Sequence, residues 1–138
     1  MLGHLYDKQD CSAARALEIV GERWSLLILR DAMFRGHTRY SDFMKTLEIA
    51  PNILSKRLSG FVAAGLMVQG EDGAYQLTEK GLAFKPVIMA LTAWGDQWVG
   101  PGPVEFITKD TRAPVRVELR GDAGEVTDLA RVGVKPRD

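Results

Sequence analysis

The chain has 138 residues, a net charge of zero and a single cysteine. Its length suits one ordinary domain with a short appendage, since single hydrophobic cores mostly run to about 100–150 residues. A hydrophobic fraction of 46% and a charged fraction of 26% are typical of a globular protein rather than a disordered one. The lone Cys11 excludes an intramolecular disulfide and a cysteine-built zinc site. No aliphatic run approaches the ~20 residues of a membrane span, and residues 1–10 hold no apolar signal core, so we expect a cytoplasmic protein without membrane contacts.

The common motifs of enzyme chemistry do not occur in this sequence. His4 and His37 lie far apart without HxxH or HExxH spacing, and we expect His37 to be a surface loop residue. No GxxxxGK[ST], GxGxxG or GxSxG string is present. The acidic residues are scattered, mostly beside Arg or Lys, as on a solvated surface. We therefore expect no catalytic residues, no metal and no cofactor.

The zero net charge hides a basic segment. Residues 21–60 contain seven Arg or Lys residues against four Asp or Glu residues. Local positive charge of this kind attracts anionic partners, nucleic acid among them.

Apolar spacing predicts four helices in the first half of the chain, over residues 12–20, 22–34, 40–47 and 51–64. The second is apolar nearly all round and should be the buried central helix. Ser41 or Thr38 can cap the third, and Pro51 suits the first position of the fourth. In the fourth helix one side is apolar, and the other side carries Asn52, Ser55, Lys56 and Ser59.

The second half predicts a β-hairpin, a long helix and a small appendage. Asp72-Gly73 indicates a turn between strands 66–68 and 74–77. Thr78 is expected to cap a helix from 79 to about 99, in which Pro86 predicts a kink or a later start. After a Pro-Gly-Pro linker at 101–103, alternating residues in 104–106 and 115–120 predict a paired hairpin, with a further extended piece near 132–134.

This order of elements predicts a mostly α (α+β) protein, a winged helix-turn-helix with a two-stranded wing, a long C-terminal dimerisation helix and a small C-terminal β-hairpin appendage. We expect residues 1–99 to form the DNA-binding and dimerisation domain. Residues 100–138 are expected to form the linker and the appendage.

A string of short motifs runs through residues 11–98 in unbroken order. It consists of Cys11, GERW at 21–24, LILR at 27–30, GHTRYSDF at 36–43, NILSKRL at 52–58, AGL at 64–66, YQLT at 75–78, Gly81 and WGDQW at 94–98. Together these motifs resemble the HxlR-type bacterial transcriptional regulators, and the resemblance covers about two thirds of the chain.

The resemblance implies a homodimeric regulator that binds double-stranded DNA, a repressor or an activator, with repressor preferred. Its dimer interface would use the first and last helices, with candidate contacts at Leu17, Leu91, Trp94 and Trp98. The candidate DNA-binding residues are Arg39, Lys45, Pro51, Asn52, Ser55, Lys56, Arg57 and Ser59. Some members of this family respond to electrophiles, quinones or oxidants through the cysteine that matches Cys11.

Three departures from the family pattern affect these expectations. Ala50 stands where the family often has a serine at the start of the recognition helix. Glu71 and Asp72 make the wing tip acidic, which argues against deep insertion into the minor groove. Thr111 and Gly121 fall about where a longer subgroup carries paired cysteines, so no metal knuckle is expected.

Several alternatives stay open on the sequence alone. The polar side of helix 51–64 can be an ordinary solvated face, and Arg57 can equally form a structural ion pair. Cys11 can be a small buried hydrophobe, although a helix N-terminus lowers a thiol's pKa. A small hydrophobic ligand bound near Trp94 could then serve as inducer, with an inert cysteine. A winged helix can also act as a protein-interaction module.

Overall fold

A computed structural model describes residues 5–138 and has the winged helix-turn-helix order that the sequence predicts. Four helices come first: α1 Ser12–Val20, α2 Ser25–Phe34, α3 Tyr40–Thr46 and α4 Pro51–Ala63. The wing and two helices follow: β1 Met67–Gln69, β2 Tyr75–Leu77, α5 Glu79–Leu82 and α6 Lys85–Trp98. The tail holds β3 Arg120–Gly121, β4 Gly124–Glu125 and a 3₁₀ helix, Leu129–Arg131. The predicted fold class is confirmed.

The chain divides into two compact units, one up to Ile88 and one from Met89 to Asp138, so the boundary lies within α6. The first unit holds the helix-turn-helix and the wing, whose strands pair antiparallel with Met67 opposite Leu77. The second holds most of α6 and the tail. No helix among residues 5–138 is long and apolar enough to cross a lipid bilayer.

The core of the first unit is formed by the apolar sides of α2, α3 and α4. The predicted stripe of α4 is fully buried, and α2 and α3 contribute further buried side chains: Leu54, Leu58, Phe61, Ile28, Leu29 and Phe43. Fully burying one such side chain stabilises the fold by about 1.5–3 kcal/mol. The other side of α2 is less covered than predicted, since Leu27 and Phe34 are each about two-fifths exposed.

Helix α2 begins at Ser25, three residues later than predicted. Trp24, the residue before it, has φ 77°, in the left-handed region that bulky residues rarely adopt. The chain therefore turns sharply between α1 and α2 instead of winding directly into the second helix.

The prediction of one continuous helix from 79 to 99 is wrong, because this segment forms two helices. Thr78 caps α5 as expected, with its Oγ1 accepting the Gly81 N–H at 3.1 Å. Helix α5 then ends after one turn, and α6 starts at Lys85. Pro86 lies in the first turn of α6, where its missing N–H costs no helical hydrogen bond, so the predicted late start is confirmed.

Helix α3 is capped differently from the prediction. The residue before it is Arg39, and the Asp42 carboxylate accepts the Arg39 backbone N–H at 3.3 Å. Neither Thr38 nor Ser41 is the capping residue, because Thr38 lies before Arg39 and Ser41 lies inside the helix.

A buried carboxylate joins α2 to α3. Asp31 is fully buried, and its Oδ2 accepts the Thr46 hydroxyl at 2.7 Å. Its Oδ1 lies 2.8 Å from Arg30 Nε and 3.5 Å from Arg35 Nε. The expectation that the acids lie on a solvated surface is therefore wrong for Asp31. Both of its oxygens have partners, as a buried carboxylate requires.

The tail contains less regular sheet than the alternation predicts. An isolated bridge pairs Ile107 with Pro114, and the Val115 N–H donates to the Phe106 carbonyl at 2.9 Å. The hairpin is instead Arg120–Gly121 with Gly124–Glu125. Pro114 has no N–H to donate, so it contributes no donor to a longer ladder at this point. The expected extended piece near 132–134 forms no strand and follows the 3₁₀ helix.

Candidate nucleic-acid interface

Helix α4 presents a polar face on the outside of the helix-turn-helix. Its apolar side is buried in the core, which turns the opposite side outward. The residues predicted on that side are all exposed: Asn52, Ser55, Lys56 and Ser59. An amide, two hydroxyls and an ammonium can donate hydrogen bonds to base edges and to phosphates.

The start of α4 is fixed without a capping side chain. Ala50 occupies the N-cap position, as the departure from the family pattern indicated, and Pro51 is the first residue of the helix. The Tyr40 hydroxyl donates to the Pro51 carbonyl at 2.9 Å, which ties the start of α4 to the start of α3. The start of the second helix of the motif is thereby held against the first.

Arg57 points from α4 towards the turn between α1 and α2. Its guanidinium contacts the Glu22 carboxylate, and its Nε donates to the Arg23 carbonyl at 2.9 Å. The Arg57 side chain is only 15% exposed. The structural ion pair left open by the sequence is therefore present, and it holds α4 against the Glu22–Arg23 turn.

Arg39 lies just before α3 and reaches the tip of the wing. Its Nη2 donates to Asp72 Oδ2 at 3.0 Å, and its Nη1 donates to the Asp72 carbonyl oxygen. Asp72 Oδ1 accepts the Ala74 N–H at 3.1 Å. This Ala74 hydrogen bond, followed by the charge of Arg39, lowers the pKa of the Asp72 carboxyl. Lys45, the other predicted cation of this region, is exposed on α3.

Cys11 is the residue immediately before α1, and its side chain is exposed. The buried-hydrophobe alternative does not fit this exposure. The backbone N–H groups of Ala14 and Ala13 lower the pKa of the Cys11 thiol, and Arg15 lowers it further. The arrangement raises the share of the reactive thiolate above that of an unperturbed thiol.

Apolar side chains are exposed in each of the two units. In the first, a cavity of about 600 Å³ is bordered by α1, α2 and the turn between them, with Leu17, Trp24 and Leu27 in its wall. In the second, one stripe of α6 carries Leu91, Trp94 and Trp98, which are 51%, 60% and 69% exposed.

His37 is less of a surface residue than predicted. Its ring meets the buried Phe43 ring edge to face, with centroids 5.5 Å apart. Its Nε2 is buried and has no hydrogen-bond partner among residues 5–138. Among residues 5–138, no three His, Cys, Asp or Glu side chains come together as a metal site requires.

Residues 19–103 match the family model of the HxlR-like helix-turn-helix proteins. The chain belongs to this family. Its matched relatives are transcriptional regulators, so the prediction of a regulator rather than an enzyme is confirmed at the level of the family. One relative is the uncharacterised HTH-type transcriptional regulator Mb3122 of Mycobacterium bovis, which is 39% identical over 104 residues. The match covers 71% of this chain and 64% of that relative, so this chain spans less than two thirds of its length.

Two solved structures extend the likeness to the fold. PA1607, a candidate transcription factor, has a TM-score of 0.82 and 35% identity, and the match covers 94% of this chain and 97% of that one. Quinone-bound YodB from Bacillus subtilis has a TM-score of 0.58 and 27% identity, and the match covers 65% of this chain and all of YodB. The similarity to PA1607 therefore includes the tail, whereas that to YodB covers about two thirds of the chain.

Proposed function

We propose that this protein is a cytoplasmic repressor that binds double-stranded DNA as a homodimer at an inverted-repeat operator. The observation that carries this proposal is the exposed polar face of α4, Asn52, Ser55, Lys56 and Ser59, on a helix whose other face is buried in a winged helix-turn-helix core. In this fold class the second helix of the motif enters the major groove.

The proposed DNA contacts are of two kinds, those to base edges and those to phosphates. Lys56, Asn52 and Ser55 are suited to base edges, with a lysine preferring the O6 and N7 atoms of guanine. Arg39 and Lys45 are suited to phosphates, which fix the register of a protein on the duplex. Pro51 starts the helix, Ser59 continues its outer face, and we assign Arg57 to holding α4 in place through Glu22 and Arg23.

The exposed stripe of α6 supports the homodimer. Large apolar side chains exposed in a row are uncommon on soluble monomers and mark protein interfaces. Leu91, Trp94 and Trp98 meet this description, and Leu17 on α1 is also about half exposed. A two-fold dimer would set two α4 helices on half-sites ~34 Å apart, which requires an inverted repeat. In this proposal residues 1–99 are the DNA-binding and dimerisation domain, and 100–138 are its linker and appendage.

Cys11 is proposed as the sensor of an electrophile or oxidant. Its side chain is exposed, and its lowered pKa raises the share of the thiolate, which is the reacting form of cysteine. The relative YodB is known in a quinone-bound form, which supports the same class of inducer here. Because α1 also carries Leu17, a modification at its start would change the dimer while leaving the face of α4 intact.

A second candidate is control by a small hydrophobic ligand with an inert cysteine. The sequence suggested a ligand near Trp94, but the cavity that favours this candidate lies beside α1 and α2 and is not lined by Trp94. Its volume of about 600 Å³ lies within the usual range of ligand pockets. The two forms of control differ in one variant. Cys11→Ser abolishes the response to diamide or a quinone in the first case and leaves induction intact in the second.

The proposal is tested by mobility shift with the DNA upstream of the protein's own gene. Wild type should give a specific complex, and footprinting should protect an inverted repeat. Lys56→Ala should weaken operator binding by about 1–3 kcal/mol if Lys56 reads a guanine. Lys135→Ala removes an equal charge from the exposed tail and is the matched control. Absence of a specific complex would favour a protein-interaction module, and equal effects of the two variants would refute the assignment of α4.

A further inference from the structure

The tip of the wing carries two neighbouring acids, Glu71 and Asp72, next to the surface that we propose for DNA. Phosphates repel carboxylates, so an acid at such a place is expected to weaken binding. Both side chains are exposed, but Asp72 is bonded to Arg39, a basic residue at the start of the helix-turn-helix. This pairing gives Asp72 a consequence that its charge alone does not predict.

The Asp72 carboxylate is itself held in place. Its Oδ1 accepts the Ala74 N–H at 3.1 Å within the turn of the hairpin, which leaves Oδ2 for Arg39 Nη2 at 3.0 Å. The carbonyl oxygen of Asp72 accepts a second bond from Arg39 Nη1. Two N–H groups of the guanidinium therefore bind one residue of a tight turn. Because an arginine has five N–H donors, three of them are not used in these two bonds.

The backbone adds a further tie between the wing and the segment before α3. The Tyr75 N–H donates to the Thr38 carbonyl at 2.7 Å, one residue before Arg39. The start of α3 and the wing are thus joined by both backbone and side chain. Exposed ion pairs stabilise a fold only slightly, so the main effect of this pair is to orient the Arg39 guanidinium.

We propose that Asp72 is a positioning residue that holds Arg39 ready for a DNA phosphate, an inference that rests on the proposed function. Arg39 is 48% exposed on its side chain, so its remaining N–H groups can reach a ligand. A side chain that is already ordered loses less conformational entropy on binding. The acid at the wing tip therefore strengthens binding to DNA.

The experiment compares the two acids of the wing tip in the full chain. Affinity for a fluorescent operator duplex and for a duplex of random sequence is measured by anisotropy at salt concentrations from about 50 to 200 mM. Asp72→Ala should weaken binding to both duplexes about twofold to tenfold per half-site, because an Arg39 side chain that is not ordered in advance loses more conformational entropy on binding. Glu71→Ala, the matched control, should leave binding unchanged or strengthen it.

The Arg39→Ala background separates positioning from damage to the wing. If Asp72 acts through Arg39, Asp72→Ala causes no further loss of affinity there. The inference would be overturned if Asp72→Ala caused the same loss of affinity in the Arg39→Ala background as in the protein that keeps Arg39. It would also be overturned if Asp72→Ala bound DNA more tightly than wild type. Wild type that binds operator with equal effects from Glu71→Ala and Asp72→Ala also overturns it and leaves the proposed function standing. Wild type that binds neither duplex overturns both.

Discussion

Removing the Thr46 hydroxyl should loosen the attachment of α3 to α2. In Thr46→Val the shape of the side chain is kept, but the protein loses the hydrogen bond of 2.7 Å to the buried Asp31 carboxylate. Hydrogen bonds to charged groups contribute about 1.5–3 kcal/mol. Because Arg30 stays 2.8 Å from the same carboxylate, we expect the lower part of that range, about 1.5–2 kcal/mol. For a domain of this size the change corresponds to a decrease in Tm of roughly 5–8 °C.

Urea denaturation followed by circular dichroism measures this change at one fixed protein concentration, since association would raise the apparent stability. Thr46→Ser keeps the hydroxyl and should retain most of the free energy of unfolding. Ser41→Ala removes an exposed hydroxyl from the same helix and should change it by less than about 0.5 kcal/mol. The reasoning is refuted if Thr46→Val unfolds at the wild-type urea concentration, or if Thr46→Ser is destabilised as much as Thr46→Val.

Three further outcomes are expected. The rate at which iodoacetamide alkylates Cys11 should reach half its maximum at a pH below ~8.5, the pKa of a free thiol, because the pKa of Cys11 is lowered. A midpoint at or above that pH would contradict this. Wild type should sediment as a dimer at micromolar concentration and the Trp94→Ser/Trp98→Ser variant as a monomer, whereas a monomeric wild type would refute the proposed interface. Gly81→Ala should lower the free energy of unfolding by about 1–3 kcal/mol, since its Cβ would lie 2.1 Å from the Leu66 carbonyl oxygen. Gly60→Ala in α4 meets no atom within 4 Å and should raise it by up to about 1 kcal/mol, and equal effects of the two glycine variants would contradict the steric argument.

The helices were predictable where their own periodicity determines them. Helices α1, α3 and α4 end within one residue of the prediction, because buried positions recur with the helical period. The start of α2 was not predictable in this way. It depends on Trp24 turning left-handed in a segment where Arg57, far along the chain, binds the Arg23 carbonyl. A contact between residues so far apart in the chain cannot be predicted from the local spacing of apolar residues.

The tail shows the opposite error, in which a local pattern was present but did not produce a ladder. The alternation in 115–120 places Arg116 and Glu118 on one side, where Arg116 forms ion pairs with both Glu118 and Glu125. Val117 and Leu119 on the other side remain exposed. Alternation therefore indicated an extended chain correctly, but backbone pairing needs a neighbouring strand that alternation does not supply.

The candidate site was predictable in its outer face and not in its supports. Asn52, Ser55 and Lys56 lie outside because the apolar residues between them lie inside, and spacing alone establishes that. Two supporting contacts join residues from different elements: the ion pair of Arg39 with Asp72 and the hydrogen bond of Thr46 to the buried Asp31. Only the folded chain brings them together.

The inward-facing arginine of α4 has a consequence for how this protein can change over time. Arg57 and the apolar side determine where the helix lies, through contacts that do not involve the outer residues. If this face reads DNA as proposed, substitutions at 52, 55, 56 and 59 alter the preferred bases while the orientation of the helix in the motif stays the same. The two sides of one helix can vary independently, so the proposed operator preference can change without a loss of folding stability.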